Sequence, residues 1–232
     1  FKPKNLVHAN ASHAVKKFCY EGIDEILILD LSNDSIKYAN IAPIITKILE
    51  KCFIPVIYGG HIKDLSLVDK LFRLGIDRIL LNSTLYEKQN IAEQIISKYG
   101  SQALLAGIDS NYFELSSLCK FKNHISSHRN IKQQINYLTS LKTTEIMFNS
   151  PLKDGLREGY AINDNTKTLV NYCEEKSIST IFMGGAWDKE DFLEAAKLGV
   201  SGLAAANCFH YKEAFPLVIK KHLIHNNHNV LY

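Results

Sequence analysis

The sequence predicts an α/β fold, a closed (β/α)8 barrel built from two similar halves. Three observations predict it. Short apolar runs alternate with amphipathic helical stretches along the chain. The apolar runs are mostly unbroken, which is typical of parallel strands that are buried on both faces. One set of β–α units also occurs twice, which favours a barrel with a pseudo-twofold repeat over an open doubly wound sheet.

Seven apolar runs are the predicted strands, and several of them end in Asp, Asn or Gly. They cover residues 25–31, 54–60, 78–82, 103–109, 145–150, 180–185 and 202–207. Helices are predicted between them, because Asp is a good residue at a helix start and glycine is common just past a helix end. The clearest four cover residues 11–21, 64–75, 86–99 and 188–198.

No linker rich in Pro, Ser or Gly interrupts this alternation. Residues 1–232 are therefore predicted to form one domain, with half-barrels at 1–99 and 100–232. The longest stretch without a pattern, about 110–130, is polar and follows a predicted strand. We expect it to be an irregular functional loop over the site.

The repeat is clearest in two turns with twin glycines, "IYGGHIKD" and "FMGGAWDKED". Placing Gly59 over Gly184, 125 residues further on, also places Asn82 over Asn207. Upstream, "EILILDLSND" matches "EIMFNSPLKD" at a shift of 120 residues. The second half has one strand more than the first. The unmatched first strand is expected to precede Phe1 and to end in an acidic residue.

Composition excludes several classes of function. A net charge of +3 and the lack of a basic stripe argue against nucleic-acid binding. No apolar run approaches the ~20 residues of a membrane span. The five cysteines are scattered and form no CxxC pair, which favours free thiols in a reducing cytosol and a cytoplasmic protein. The loosely spaced histidines near the C-terminus predict no metal site, and no cofactor is expected.

Functional residues of such a barrel are expected where the strands end. Two glycine-rich turns on opposite sides of the mouth expose backbone N–H groups, which suit phosphate. Glycine also ends strands simply because a turn needs positive φ. The candidate residues for phosphate and substrate binding are Asp30, Gly59, Gly60, His61, Asn82, Ser83, Gly155, Gly184, Gly185, Ala206 and Asn207.

Two carboxylates are candidates for catalysis. Asp109 ends an apolar strand and suits a general acid or base, although it could also cap the next segment. Asp154 precedes Gly155 and is equally explained as a turn residue. At the opposite end of the barrel, the strands begin with charged residues. These form either a stabilising ion-pair layer or a functional entrance.

The chain resembles the cyclase subunit of imidazole glycerol phosphate synthase. The resemblance covers nearly the whole chain through "GIDEILILDL", "IPVIYGGHIKD", "GIDRILLNST", "YGSQALLAGID", "EIMFNSPLKDGLREGY" and "AAANCFHYKE". It implies a (β/α)8 barrel, and a glutaminase partner on the N-terminal face from which ammonia passes through the barrel. The implied acceptor is a small substrate with two phosphate ends.

The resemblance also implies roles for individual residues. Asp109 matches one of two catalytic aspartates, and the other falls on the strand expected before Phe1. Glu25, Arg78 and Glu145 match an ammonia gate. One phosphate site is implied at Gly60, Asn82 and Ser83, and the other at Asp154, Gly155, Gly185 and Ala206.

Several departures from the family pattern lie at the ligand ends. The family has glycine at His61, a hydroxyl residue at Leu156 and serine at Asn207, and Trp187 is also unlike the family. These changes favour a paralogue that aminates or amidinates a different, sugar-containing acceptor in surface-polysaccharide (lipopolysaccharide) biosynthesis. A genuine histidine-pathway cyclase and a non-catalytic scaffold for a glutaminase remain the alternatives.

Overall fold

The computed structural model describes residues 10–31, 38–87, 90–110, 113–121, 125–210 and 215–231. Its strands in chain order are β1 (Ile26–Leu29), β2 (Val56–Gly59), β3 (Arg78–Leu81), β4 (Leu104–Asp109), β5 (Leu118–Phe121), β6 (Ile125–Asn130), β7 (Glu145–Asn149), β8 (Ser179–Met183) and β9 (Gly202–Ala204). Seven of them pair in parallel in the order β1-β2-β3-β4-β7-β8-β9. All seven predicted strands are confirmed, and the architecture is of the (β/α)8 class.

The helices follow the strands as the alternation requires. They are α1 (Ala11–Tyr20), α2 (Tyr38–Leu49), α3 (Leu65–Leu74), α4 (Thr84–Glu87), α5 (Asn90–Tyr99), α6 (Ile131–Ser140), α7 (Asp164–Glu174), α8 (Lys189–Ala196), α9 (Asn207–His210) and α10 (Pro216–His225). The helix predicted at 86–99 falls on α4 and α5. Asp64 caps α3 through the Leu67 N–H at 2.9 Å, as predicted, and Gly75 ends it at φ +106°.

The prediction for residues 110–130 is wrong in its secondary structure. Strands β5 and β6 form an antiparallel hairpin, and Lys120 of the hairpin pairs with Asp109 at the end of β4. The hairpin has few of the apolar residues by which strands are found, because it lies outside the parallel sheet. It does lie beside the strand end where the site was expected.

The two ends of the parallel sheet are brought together by helices. The Phe18 ring on α1 lies 5.0 Å from the His210 ring on α9. Lys220 of α10 donates to the Asp24 carboxylate just before β1, at 2.5 Å. These contacts join the start of the described chain to its end, as a closed barrel requires. None of the described helices is long and apolar enough to cross a membrane.

Side chains alternate along each strand, so every second residue faces the barrel interior. An inner apolar cluster contains Ile57, Leu80, Leu105 and Met147, with Leu27, Ile181 and Met183 against it. A larger cluster fills the space between strands and helices. Asp109 lies on the same face of β4 as the inner-cluster residue Leu105, and Asn149 on the same face of β7 as Met147. Both therefore face inward at the C-terminal end.

Strand register corrects the alignment of the two halves by one residue. Ile26 pairs with Val56, and the repeat-related Ile146 pairs with Thr180, which lies 124 rather than 125 residues beyond Val56. The caps of α3 and α8, Asp64 and Asp188, keep the same shift.

The twin glycines are therefore not each other's equivalents. Gly60 corresponds to Gly184, and His61 to Gly185. The alignment of the two halves by sequence paired identical residues, whereas the strand register pairs residues at equivalent backbone positions.

Candidate functional site

Asp109 lies at the C-terminal mouth between two asparagine side chains. The Nδ2 of Asn149 donates to its Oδ1 at 3.0 Å, and the Asn82 side chain also bonds to it. Burial raises the pKa of Asp109 above the usual aspartate range, and the two hydrogen bonds oppose that rise. A carboxylate with a raised pKa in a barrel mouth is equipped to move protons.

Asn149 was missed by sequence reasoning, although a signal was available. It follows Met147 by two residues and so shares its inward face at the end of β7. The register places it directly beside Asp109. The alternation of side chains along both strands would have indicated that Asn149 and Asp109 both face the barrel interior.

The first glycine turn follows β2. Gly60 has φ +106°, and a Cβ there would lie 2.3 Å from the carbonyl oxygen of Asp30. His61 also has positive φ, +52°. The Asp30 carboxylate accepts a hydrogen bond of 3.0 Å from the buried Tyr58 hydroxyl. Burial, followed by the Asp30 charge, raises the pKa of Tyr58, so this tyrosine remains a donor. The structure thus places Asp30 and Gly59 to His61 together.

The second glycine turn follows β8 and packs against another loop. Gly184 and Gly185 have φ of +102° and +99°. A Cβ at Gly185 would lie 2.1 Å from the carbonyl oxygen of Gly159. The Gly159 N–H donates to the Gly185 carbonyl at 3.0 Å. This turn therefore needs glycine for its own packing.

The loop between β7 and α7 supplies the remaining residues of this side. Asp154 is exposed, and its N–H donates to the Ser150 carbonyl at 3.2 Å. Gly155 has φ +81°, and a Cβ there would lie 3.0 Å from Nδ2 of Asn207. The structure thus brings Gly155 beside Asn207.

The residues that follow β3 and β9 lead into the short helices α4 and α9. The Asn82 carbonyl accepts from the Leu85 N–H at 2.9 Å, and the Ala206 carbonyl from the Phe209 N–H at 3.2 Å. Ser83 and Asn207 follow them at equivalent places in the two halves. The predicted ligand residues therefore form two groups at one end of the sheet.

One contact at the second group was not predicted. The Arg157 guanidinium carbon lies 3.6 Å from the centre of the Trp187 ring, a cation–π contact. Leu156 beside it has 53% of its surface exposed. No pattern in the sequence pairs Arg157 with Trp187, because they lie in different loops.

The charged residues at the opposite end of the barrel form an ion-pair layer. The Arg78 guanidinium donates to the Glu145 carboxylate and lies 3.6 Å from that of Glu25. Its Nε also donates to the Gln102 carbonyl at 3.1 Å. Burial raises the pKa of Glu25, and Arg78 opposes this. The predicted ion-pair layer is therefore present.

Metal-binding clusters and disulfides were not expected. Within the described ranges, no three His, Cys, Asp or Glu side chains are grouped as a metal site requires. His222 of the C-terminal histidines lies 3.2 Å from the Glu190 carboxylate. All five cysteines are free thiols.

The sequence of this chain matches a known protein family. The family described as Histidine biosynthesis protein matches residues 2–214. The imidazole glycerol phosphate synthase subunit HisF of Campylobacter concisus is 28% identical over 210 residues, 90% of this chain and 81% of that protein. HisF of Parabacteroides distasonis is 29% identical over 92% of this chain and 84% of its own. HisF of a Hydrogenobaculum species is 30% identical over 89% and 82%. The chain belongs to the histidine biosynthesis protein family.

Proposed function

We propose that this chain is an ammonia-using synthase subunit of a glutamine amidotransferase complex, and that its acceptor differs from that of its relatives. The relatives are named as subunits of imidazole glycerol phosphate synthase, which supports a cyclase or synthase subunit. The observation that carries the proposal is the inward-facing Asp109, held at the mouth by two amides. The chain acts as one barrel domain, with halves at 1–99 and 100–232.

Asp109 acts as the general acid or base at the mouth. When ammonia forms a C–N bond with an acceptor carbon, the nitrogen becomes cationic and must lose a proton. The Asp109 carboxylate takes that proton, and its raised pKa makes it a better base than an ordinary aspartate. Asp154, exposed in the loop after β7, is the second candidate carboxylate.

Ammonia enters at the other end of the barrel. Arg78, Glu25 and Glu145 surround that entrance, and a glutaminase partner docks on the same face. Beyond it the barrel interior is lined by apolar side chains such as Leu80, Leu105 and Met147. A neutral ammonia molecule crosses such a lining more readily than an ammonium ion, because burying a charge is costly.

Two groups at the mouth bind the ends of a phosphate-containing acceptor. The first comprises Asp30, Gly59, Gly60, His61, Asn82 and Ser83, and the second Gly155, Gly184, Gly185, Ala206 and Asn207. His61 adds bulk at the first, while at the second Arg157 stacks on Trp187 beside Leu156. These features support an acceptor with a sugar ring, of the kind amidinated in surface-polysaccharide synthesis.

The histidine-pathway reaction is the second candidate, and the names of the relatives favour it. Turnover of the histidine-pathway intermediate by the purified chain with ammonium chloride separates the two. We expect no cyclised product, even at high ammonium concentration. Formation of imidazole glycerol phosphate would overturn the proposal of a different acceptor and leave the ammonia chemistry intact.

Asp109→Asn tests whether the chain is a catalyst or a scaffold for a glutaminase. In the complex with its glutaminase, we expect acceptor turnover to fall by about 10²- to 10⁴-fold, because a general base is lost. Asp164→Asn, an exposed change at the start of α7, is the matched control. Unchanged turnover in Asp109→Asn would support the scaffold.

A further inference from the structure

The side chain of Asn149 has a geometry that the packing of the barrel does not explain. Its Nδ2 donates a hydrogen bond of 3.0 Å to Oδ1 of Asp109. The two residues are direct neighbours in the register of β4 and β7. Asn82 reaches the same carboxylate from β3, on the other side of β4. The carboxylate is therefore held from both adjacent strands.

The oxygen atoms of the two amides contrast with the groups that bind Asp109. The Oδ1 atoms of Asn149 and Asn82 are buried and have no hydrogen-bond partner among the residues that the structure describes. A buried acceptor without a donor destabilises a fold. The hydrogen bonds to the buried Asp109 carboxylate offset that cost, so these amides serve Asp109 rather than the apolar packing of the barrel.

The repeat supplies a direct comparison for Asn149. The equivalent residue in the first half is Leu29, which ends β1 as Asn149 ends β7. Leu29 pairs with Gly59 as Asn149 pairs with Met183. The barrel therefore accepts an apolar residue at this position of the repeat.

We propose that Asn149 is a positioning residue, whose amide nitrogen fixes the Asp109 carboxylate in the barrel mouth and favours its ionised form. This inference deepens the proposed function and rests on it for the catalytic role of Asp109. The hydrogen bond itself is independent of that role.

The effect on titration has a definite sign. Burial raises the pKa of Asp109, and the bonds from Asn149 and Asn82 lower it. Tyr86 on α4 also interacts electrostatically with Asp109, and Cys119 and Arg129 of the hairpin act on the same tyrosine. Without the Asn149 donor, fewer hydrogen bonds oppose the effect of burial, so the pKa of Asp109 should rise further.

The experiment replaces Asn149 by Leu, the residue that the first half uses, and in parallel by Ala. The carboxyl resonance of Asp109 is followed by NMR against pH in the full chain without substrate. Asn136→Ala is the control, since its amide accepts from the Tyr172 hydroxyl on the outer helices. We expect the pKa of Asp109 to rise in both Asn149 variants and to stay unchanged in the control.

The pH profile of ammonia-dependent turnover provides the second measurement. Its acidic limb should move to higher pH by the same amount in Asn149→Leu. An unmoved Asp109 titration in both folded variants would overturn the inference. A moved titration with an unmoved activity profile would uphold the positioning by Asn149 and contradict the catalytic role of Asp109.

Discussion

The turn after β2 and the turn after β8 occupy equivalent places in the two halves, but only the second has glycine at both left-handed positions. Gly60 and Gly184 have nearly the same φ, +106° and +102°. At the next position, His61 has φ +52° where Gly185 has +99°.

The two turns therefore differ in what requires glycine. A Cβ at Gly60 would lie 2.3 Å from the carbonyl of Asp30, and one at Gly184 would lie 2.8 Å from that of Ser150. The shared first position is thus restricted by the strand alongside. At the second position, the Gly159 backbone approaches Gly185 in the second half. The first turn forms with histidine at position 61, at φ +52°, so it does not require glycine there.

Gly185→Ala should have the largest effect of the changes that separate the turns. Its Cβ would lie 2.1 Å from a backbone oxygen that cannot move away easily, at a φ that alanine disfavours. We expect the free energy of unfolding to fall by more than about 3 kcal/mol. Urea unfolding followed by circular dichroism measures it.

Gly199→Ala is the matched control for that change. Gly199 also has positive φ, +81°, but a Cβ there has nothing within 4 Å. Only backbone strain remains, so a loss of about 1 kcal/mol is expected. Equal losses at Gly185 and Gly199 would contradict the contact with Gly159 as the cause.

The two halves also differ at the ion-pair layer. Glu145 accepts directly from Arg78, whereas Glu25, its equivalent in the repeat, lies 3.6 Å from the same guanidinium. Glu145→Gln should lower the free energy of unfolding by about 2 kcal/mol, because a charge-assisted hydrogen bond of a partly buried arginine is lost. Glu25→Gln is the matched change and should leave the glutamine variant slightly more stable at neutral pH, because burial disfavours the charged form of Glu25. A larger loss from Glu25→Gln would reverse the assignment of the stronger pair.

The pH dependence of stability tests the environment of Glu25 directly. The pKa of Glu25 is raised in the folded chain, chiefly by burial. A raised carboxyl pKa means that the folded state binds the proton more tightly, so stability is gained as pH falls through it. Urea midpoints of wild type and Glu25→Gln should therefore converge on acidification from neutral pH to below pH 4, the region of the ordinary glutamate pKa. Divergence would contradict the burial of Glu25.

Much of the fold was predictable because its strands are buried on both faces. Runs such as Leu104–Asp109 have no competing interpretation once helices flank them. The hairpin of β5 and β6 was not predictable, because its pairing depends on the end of β4 rather than on a pattern of its own. The shift of 124 residues between the two halves could not be found from the sequence either, because Gly59 and Gly185 are both glycines but occupy different backbone positions in their turns.

The site was predictable where one residue carries its own signal. Asp109 stands out as a carboxylate ending an apolar strand. Asn149 does not, because its importance comes from the register that places it beside Asp109. The Arg157–Trp187 contact depends on the approach of two loops, which no spacing along the chain encodes.

His61→Gly should have the smallest effect on stability and the most informative effect on binding. Glycine relieves the left-handed strain at φ +52°, but it also loses more backbone entropy on folding. These two backbone effects nearly cancel and together change the free energy of unfolding by less than about 0.5 kcal/mol. Asn227→Gly, at φ +63° after α10, is the control for strain alone. Because glycine lets the backbone approach an anion, inorganic phosphate should bind about tenfold more tightly to His61→Gly, as measured by calorimetry. Unchanged phosphate affinity would mean that His61 does not limit phosphate binding at the first turn. The two turns would then differ in packing alone.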